Sequence, residues 1–250
     1  LTGRLGRWAR LGLTASLIWI NIDQLGQAWF FLTPPTSEAP PTLQRVEVAP
    51  GDWHFGPNRL LKSNGLYSMY TEGGAYERGF AMGALGPELH ERLEAESIRT
   101  FETHVPFAFF RYLITRGSAL FAPHLDQYLR HEDRLEIKGT VDARPDPLQW
   151  MAPAYTREVY YHAIHDIGQA VVDTPFVMAC TGFMAGPGAT ADAHWIMGRN
   201  FDFDGGAVFD QDKIVSFVKP ELGIPYVSVT FMGMVGVVTN GAIRDIPGMP

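Results

Sequence analysis

Apolar positions follow one period in the first two-thirds of the chain and another in the last third. Leu89, Leu93, Ile98 and Phe101 recur at roughly helical spacing among Glu and Arg residues. Pro87 suits the first turn of the helix they predict, which runs to about His104. The same pattern predicts helices over Phe107–Thr115, Ala119–Leu135 and Pro153–Val172. Upstream, the turn signal Asn64-Gly65 introduces a short strand, Leu66 to Glu72, which Gly73-Gly74 closes before helical patterning begins. Residues 43–179 therefore read as a mostly helical segment with one early strand. Beyond Cys180 the period shortens. Trp195–Phe203, Lys213–Lys219, Pro225–Phe231 and Met234–Thr239 are rich in Val, Ile, Phe and Tyr and are separated by Gly, Pro, Asn or Asp, which predicts a run of adjacent antiparallel strands. The chain shows no internal repeat.

The first 42 residues follow neither pattern. Arg4, Arg7 and Arg10 precede an apolar run from Leu11 to Ile20, the order of an export signal's basic and apolar regions. Asp23 would lie near mid-bilayer in a helix extended to Leu32, at a cost of about 2.5–3.5 kcal/mol, so an export signal or weak anchor is favoured over a full span. Residues 1–33 are read as signal-like or anchoring, with membrane association through residues 11–32 and a location outside the cytoplasm. The alternative is an amphipathic helix docked on the protein itself. Residues 34–42, rich in proline, read as an extended linker.

With 250 residues, 46% apolar and 19% charged, the chain has globular character. A net charge of -7, without a cationic run past the first ten residues, excludes a nucleic-acid partner. One cysteine forbids an internal disulfide, and neither CxxC nor HExxH occurs, so no structural or catalytic zinc is expected. His162, His165 and Asp166 share a helical face but lack a third strong ligand, which makes them packing and capping groups. Asp202, Asp204, Asp210 and Asp212 do not follow EF-hand spacing and read as a solvated turn.

The candidate chemistry centres on Cys180, in Met178-Ala179-Cys180-Thr181-Gly182, and on the run Gly198-Arg199-Asn200-Phe201-Asp202-Phe203 that follows it. If the Ala179–Cys180 bond breaks, the thiol gains its own α-amine as a base, with a reference pKa of about 7.7–8.0. The guanidinium of Arg199 would favour the thiolate. Asp202 would hold the α-ammonium by a charge-assisted hydrogen bond, and Asn200 and Asn240 are candidate donors to an oxyanion. With a turn at Gly186-Pro187-Gly188, a strand begun by Cys180 lies beside Trp195–Phe203. Strand alternation puts Arg199 and Asp202 on opposite faces, so both reach Cys180 only if the strand ends or bulges near Asn200–Phe201. The sulfur is expected to be buried in the precursor.

These residues resemble the N-terminal-nucleophile amide hydrolases that group choloylglycine hydrolases with isopenicillin N acyltransferase-like proteins. Gly74-Ala75-Tyr76-Glu77-Arg78-Gly79-Phe80-Ala81-Met82-Gly83 is similar to the G-x-x-x-E-R-G-x-x-x-G stretch of the acyltransferase-like branch. Gly233 to Asn240 resembles the strand pair leading into that family's G-M-N turn. The resemblance implies an α+β, four-layer αββα fold, preceded by a helical prosegment that is removed or nicked by self-cleavage. It implies a cysteine nucleophile, Cys180, with Arg199 and Asp202 in the active site. Residues 180–250 are too few for two sheets and two helical layers, so the expectation is that the chain carries the start of that domain.

The sequence thus predicts a self-processing cysteine amidase or acyltransferase that acts on a linear carbon–nitrogen amide bond through an acyl-thioester on Cys180. Its partner is a small N-acyl amide substrate, and no metal or organic cofactor is required. A Cys-His protease is disfavoured, because His194 is the sole histidine after Cys180. The alternative reading is an exported or membrane-tethered binding protein on the same scaffold.

Overall fold

The computed structural model describes residues 13–14, 32–37, 39–121, 124–149, 151–171, 178–203, 208–236 and 240–242. For 115–121, 164–171, 178–179, 201–203 and 240–242 it describes the backbone alone. The fold is mixed α+β. Four strands open it: β1 (Val46–Ala49), β2 (Asp52–Phe55), β3 (Asn58–Ser63) and β4 (Leu66–Gly73). Each pairs antiparallel with the next. The β3–β4 hairpin turns on Asn64 and Gly65, whose φ values of 51° and 82° are those of the tight turn that Asn-Gly favours.

Five longer helices and one short one follow or interleave with the later strands. They are α1 (Ala75–Leu85), α2 (Pro87–His104), α3 (Ala108–Phe121), α4 (His131–Asp142), α5 (Ala154–Val171) and the four-residue α6 (Val208–Gln211). The later strands are β5 (Met178–Ala185), β6 (Ile196–Phe203), β7 (Ile214–Pro220), β8 (Tyr226–Thr230) and β9 (Asn240–Ala242).

The sheet crosses the position of Cys180. β7 pairs in parallel with β4, from Tyr67 opposite Ile214 to Gly73 opposite Pro220, and the order β1-β2-β3-β4-β7-β8-β9 makes one seven-stranded sheet. β5 and β6 form a separate antiparallel pair. Alternate residues of the sheet, among them Tyr67, Met69 and Ile214, are buried. With Phe55, Leu60, Ala81, Met82, Leu85, Leu89 and Met232 they build a core drawn from both sides of Cys180.

Three glycines explain the motif around Arg78. A Cβ at Gly79 would lie 1.9 Å from the Glu136 carbonyl oxygen, one at Gly83 2.4 Å from that of Thr140, and one at Gly139 2.2 Å from that of Tyr76. Helices α1 and α4 therefore touch backbone to backbone, which only glycine permits. Arg78, buried beside this contact, donates to Glu136 at 2.6 Å, to Glu132 at 3.1 Å and to the Gly73 carbonyl at 2.8 Å. Burial pushes the Glu136 carboxyl up, against the pull of Arg78. Removing either partner of such a buried pair costs about 3–5 kcal/mol.

Several expectations are corrected. Among the described residues, 43–179 hold four strands and the start of β5 rather than one strand, because β1 to β3 are too short to declare a period. The helix expected over Ala119–Leu135 is divided: α3 continues to Phe121, a 3-10 turn covers Leu125–Tyr128, and α4 starts at His131. The strands after Cys180 are split between two sheets and include a parallel partner from upstream, which local pattern cannot encode. Met234–Gly236 is not strand, and 237–239 lie outside the described residues.

Most of the leader, residues 1–12 and 15–31, also lies outside the described residues. Leu32 is buried, packs with Ile137, Val141, Tyr155 and Val159, and donates its backbone N–H to Thr156 Oγ1 at 3.2 Å. Among the described residues no helix is long and apolar enough to cross a membrane.

Candidate functional site

β5 and β6 run side by side in continuous register, from Met178 opposite Phe203 to Ala185 opposite Ile196. Cys180 pairs with Phe201, Thr181 with Asn200, Gly182 with Arg199 and Ala179 with Asp202. Directly opposed residues share a face, so Cys180, Gly182 and Arg199 occupy one side of the ribbon, while Thr181 and Asn200 occupy the other. Arg199 is diagonal to Cys180 and opposite a residue without a side chain. Its Nη2 donates to Cys180 Sγ at 3.2 Å.

Gly198 is explained in the same way. It lies opposite Phe183, whose ring covers it so closely that a Cβ would come within 2.3 Å. The glycine of Gly198-Arg199-Asn200 thus admits an aromatic ring from the strand that bears the thiol.

Two expectations about the site change. The thiol is exposed rather than buried. The strand neither ends nor bulges at Asn200–Phe201, since β6 continues to Phe203 in register. Asp202 is therefore placed opposite Ala179, the residue before the thiol, and is described by backbone only. Asn240 belongs to the seven-stranded sheet, opposite Ser228 on β8, and is likewise described by backbone only. The structure brings Cys180 and Arg199 together and leaves Asn200 on the far face.

Of the acidic residues read as a turn, Asp210 pairs with Lys213 and Asp212 accepts from Arg92 Nε and Nη2. Asp204 lies outside the described residues. No group of three or more His, Cys, Asp and Glu side chains among the described residues is arranged to hold a metal. An open cleft of about 540 Å³ lies between β1–β4 and α2, lined by Arg45, Trp53, Tyr67 and Arg92 among others, and includes neither Cys180 nor Arg199. Its cations are engaged, Arg45 by Glu88 and Arg92 by Asp212.

A buried polar cluster that sequence reasoning missed joins α2, α5 and the loop after α4. Glu158 accepts from His90 Nε2 at 2.6 Å and from Arg144 at 2.7 Å. Arg157 bridges Glu94 and Asp146, and the Tyr161 hydroxyl donates to Glu94 at 3.0 Å. Burial pushes the Glu158 carboxyl up, but His90 and Arg144 outweigh it and hold the group down at about 2. Burial and the neighbouring Glu94 push the Tyr161 hydroxyl up. The sequence signal was the number of charged residues on otherwise apolar helices, which shows that partners are needed but not which.

Among known proteins, the chain is similar to an uncharacterized protein of Archaeoglobus fulgidus, 28% identical over 186 residues. The match covers 70% of this chain, which spans 30% of that relative's length. No family model and no solved structure matches the chain.

Proposed function

We propose that the chain carries the nucleophile strand of a self-processing cysteine amidase or acyltransferase with a four-layer αββα fold, acting on a linear N-acyl amide. The observation that carries this reading is the Arg199 guanidinium at 3.2 Å from the Cys180 sulfur. The cation beside the sulfur stabilises the charge that develops during its attack, before any α-amine exists.

Processing then follows with atoms balanced. The exposed thiol loses its proton to water, and the sulfur attacks the Ala179 carbonyl carbon. The C–N bond breaks, and its nitrogen takes a proton to become the α-amine of Cys180. Water hydrolyses the thioester, leaving the Ala179 carboxylate and a free thiol. In turnover the amine accepts the thiol proton and passes it to the leaving amine of the substrate, and water or an acceptor amine takes the acyl group.

The regular register supports a division of labour. Arg199 serves the sulfur on one face of the ribbon. Asp202, whose backbone pairs with that of Ala179, is assigned to the backbone nitrogen that becomes the ammonium. Asn240 remains a candidate oxyanion donor once the chain is cut, while Asn200 lies on the face away from the sulfur. The basic and apolar leader supports placement outside the cytoplasm.

Intact mass after expression of the full-length gene tests the proposal. Two pieces split at Ala179–Cys180, absent from Cys180→Ala, are expected. A permanently uncut chain without an acyl adduct after incubation with N-acyl amides would favour the binding-protein reading instead.

A further inference from the structure

The open cleft between β1–β4 and α2 combines an apolar floor with an arginine whose donors are mostly unanswered. The buried core residues Leu60, Tyr67 and Leu89 line it together with half-buried Trp53, and its volume of about 540 Å³ suits a small organic ligand. Its charged residues are unequally engaged. Arg92 gives Nε and Nη2 to Asp212 at 2.9 and 3.1 Å, and Glu47 accepts the Gly51 N–H at 3.0 Å. Arg45, by contrast, engages Nη1 alone, with Glu88 Oε1 at 2.5 Å. Among the described residues neither its Nε, which is buried, nor its Nη2 has an acceptor. The guanidinium is not free to turn out into water, because the side chain is only 23% exposed and stacks on the Trp53 ring at 5.0 Å. A guanidinium holds five N–H groups in a planar fork that matches a carboxylate, so a fork fixed at the wall of a cleft and answered at one nitrogen calls for an anion.

We propose that this cleft binds a small organic carboxylate with an aromatic or branched apolar body, the carboxylate on Arg45 and the body on Trp53, Leu60, Tyr67 and Leu89. The acids around the cleft do not forbid it. Glu88 is 57% exposed, so its pairing with Arg45 is a weak surface contact that leaves the rest of the fork open. Glu47 is tied to the turn after β1, and Asp212 is matched by two nitrogens of Arg92. The two halves of the cleft together define the ligand. Inorganic phosphate would leave the floor uncovered, and a neutral apolar molecule would leave the fork without its acceptor. The cleft includes neither Cys180 nor Arg199, so this inference stands apart from the amidase proposal.

The test uses the full chain carrying Cys180→Ala, in which Cys180 chemistry plays no part. Phenylbutanoate and its uncharged analogue phenylbutanol are each titrated at neutral pH to about 10 mM, and the indole N–H signal of Trp53 is followed by heteronuclear NMR. The acid is expected to shift that signal saturably, with a Kd about tenfold or more below that of the alcohol, the worth of a charge-assisted hydrogen bond. Arg45→Gln is expected to raise the Kd of the acid about tenfold and to leave that of the alcohol level. Arg130→Gln, which removes an exposed arginine paired with Asp133, is the control and is expected to bind as the parent does. Equal affinities for acid and alcohol, an unchanged Kd in R45Q, an equal loss in R130Q, or no saturable shift at Trp53 overturns the proposal. If R45Q does not fold, the parent decides: nuclear Overhauser contacts from the phenyl ring to the Leu60 and Leu89 methyl groups support the cleft, and their absence rules it out.

Discussion

Arg199 and Cys180 are diagonal neighbours across the β5–β6 ribbon, with guanidinium and sulfur 3.2 Å apart. Both side chains are exposed, so the pairing is electrostatic and open to salt. Arg199→Ala is expected to slow alkylation of Cys180 by the anionic reagent iodoacetate at pH 7 about three- to tenfold, because the guanidinium beside the sulfur draws the reagent in, with Arg199→Lys in between. The gap should narrow in about 1 M salt, where the Debye length is about 3 Å. Equal rates for wild type and R199A would detach the guanidinium from the sulfur.

The pieces on either side of Cys180 share one sheet and one core. β4 and β7 pair over seven residues, the Glu221 N–H donates to the Gly73 carbonyl, and Lys219 meets Glu72 at 3.2 Å. A chain cut at Ala179–Cys180 is therefore expected to migrate as one particle in gel filtration and to separate only in denaturant. Release of the upstream piece under native conditions would contradict the shared sheet.

Close contact of α1 and α4 makes Gly79 intolerant of a single methyl group. Gly79→Ala is expected to destabilise the fold by about 1–3 kcal/mol or more, since the obstacle is the Glu136 backbone rather than a movable side chain. Gly188→Ala, which meets nothing within 4 Å, should stay within about 0.5 kcal/mol. Urea titration of both variants checks the contrast.

Glu158 sets an acid limit. Its carboxyl is held at about 2, below the ordinary 4.5. A depressed carboxyl stabilises the fold fully above the unfolded value and loses that contribution as pH falls through the folded one, here between about 4.5 and 2. Glu158→Gln is expected to cost about 3–5 kcal/mol at pH 7 by leaving His90 and Arg144 without their anion. The difference from wild type should shrink towards pH 2, as followed by denaturant titration at several pH values.

Much was legible locally. The Asn64-Gly65 turn, the helix from Pro87 to His104 and the strands β4, β6, β7 and β8 follow from residues adjacent in the chain. Cys180 and Arg199 were legible as a pair, because a hairpin of suitable length brings a residue nineteen positions on back to its start. The exposure of the thiol and the unbroken strand at Asn200–Phe201 were not, since burial and bulges depend on what packs against a strand. Neither was the His162 contact to Val235, because the two residues are brought together only when α5 packs beside the end of β8.

By itself the sequence determined the periods, the turns, the absence of paired cysteines and the short-range thiol–guanidinium pair, because these depend on steric and chemical preferences within a few residues. The tertiary structure alone decided that strands from both sides of Cys180 join in parallel, that α1 and α4 touch through glycine, and that Glu158, His90 and Arg144 share one buried site. Those outcomes require backbone groups and charges remote in sequence to satisfy one another away from water, and the identity of a partner is fixed only when the chain has folded.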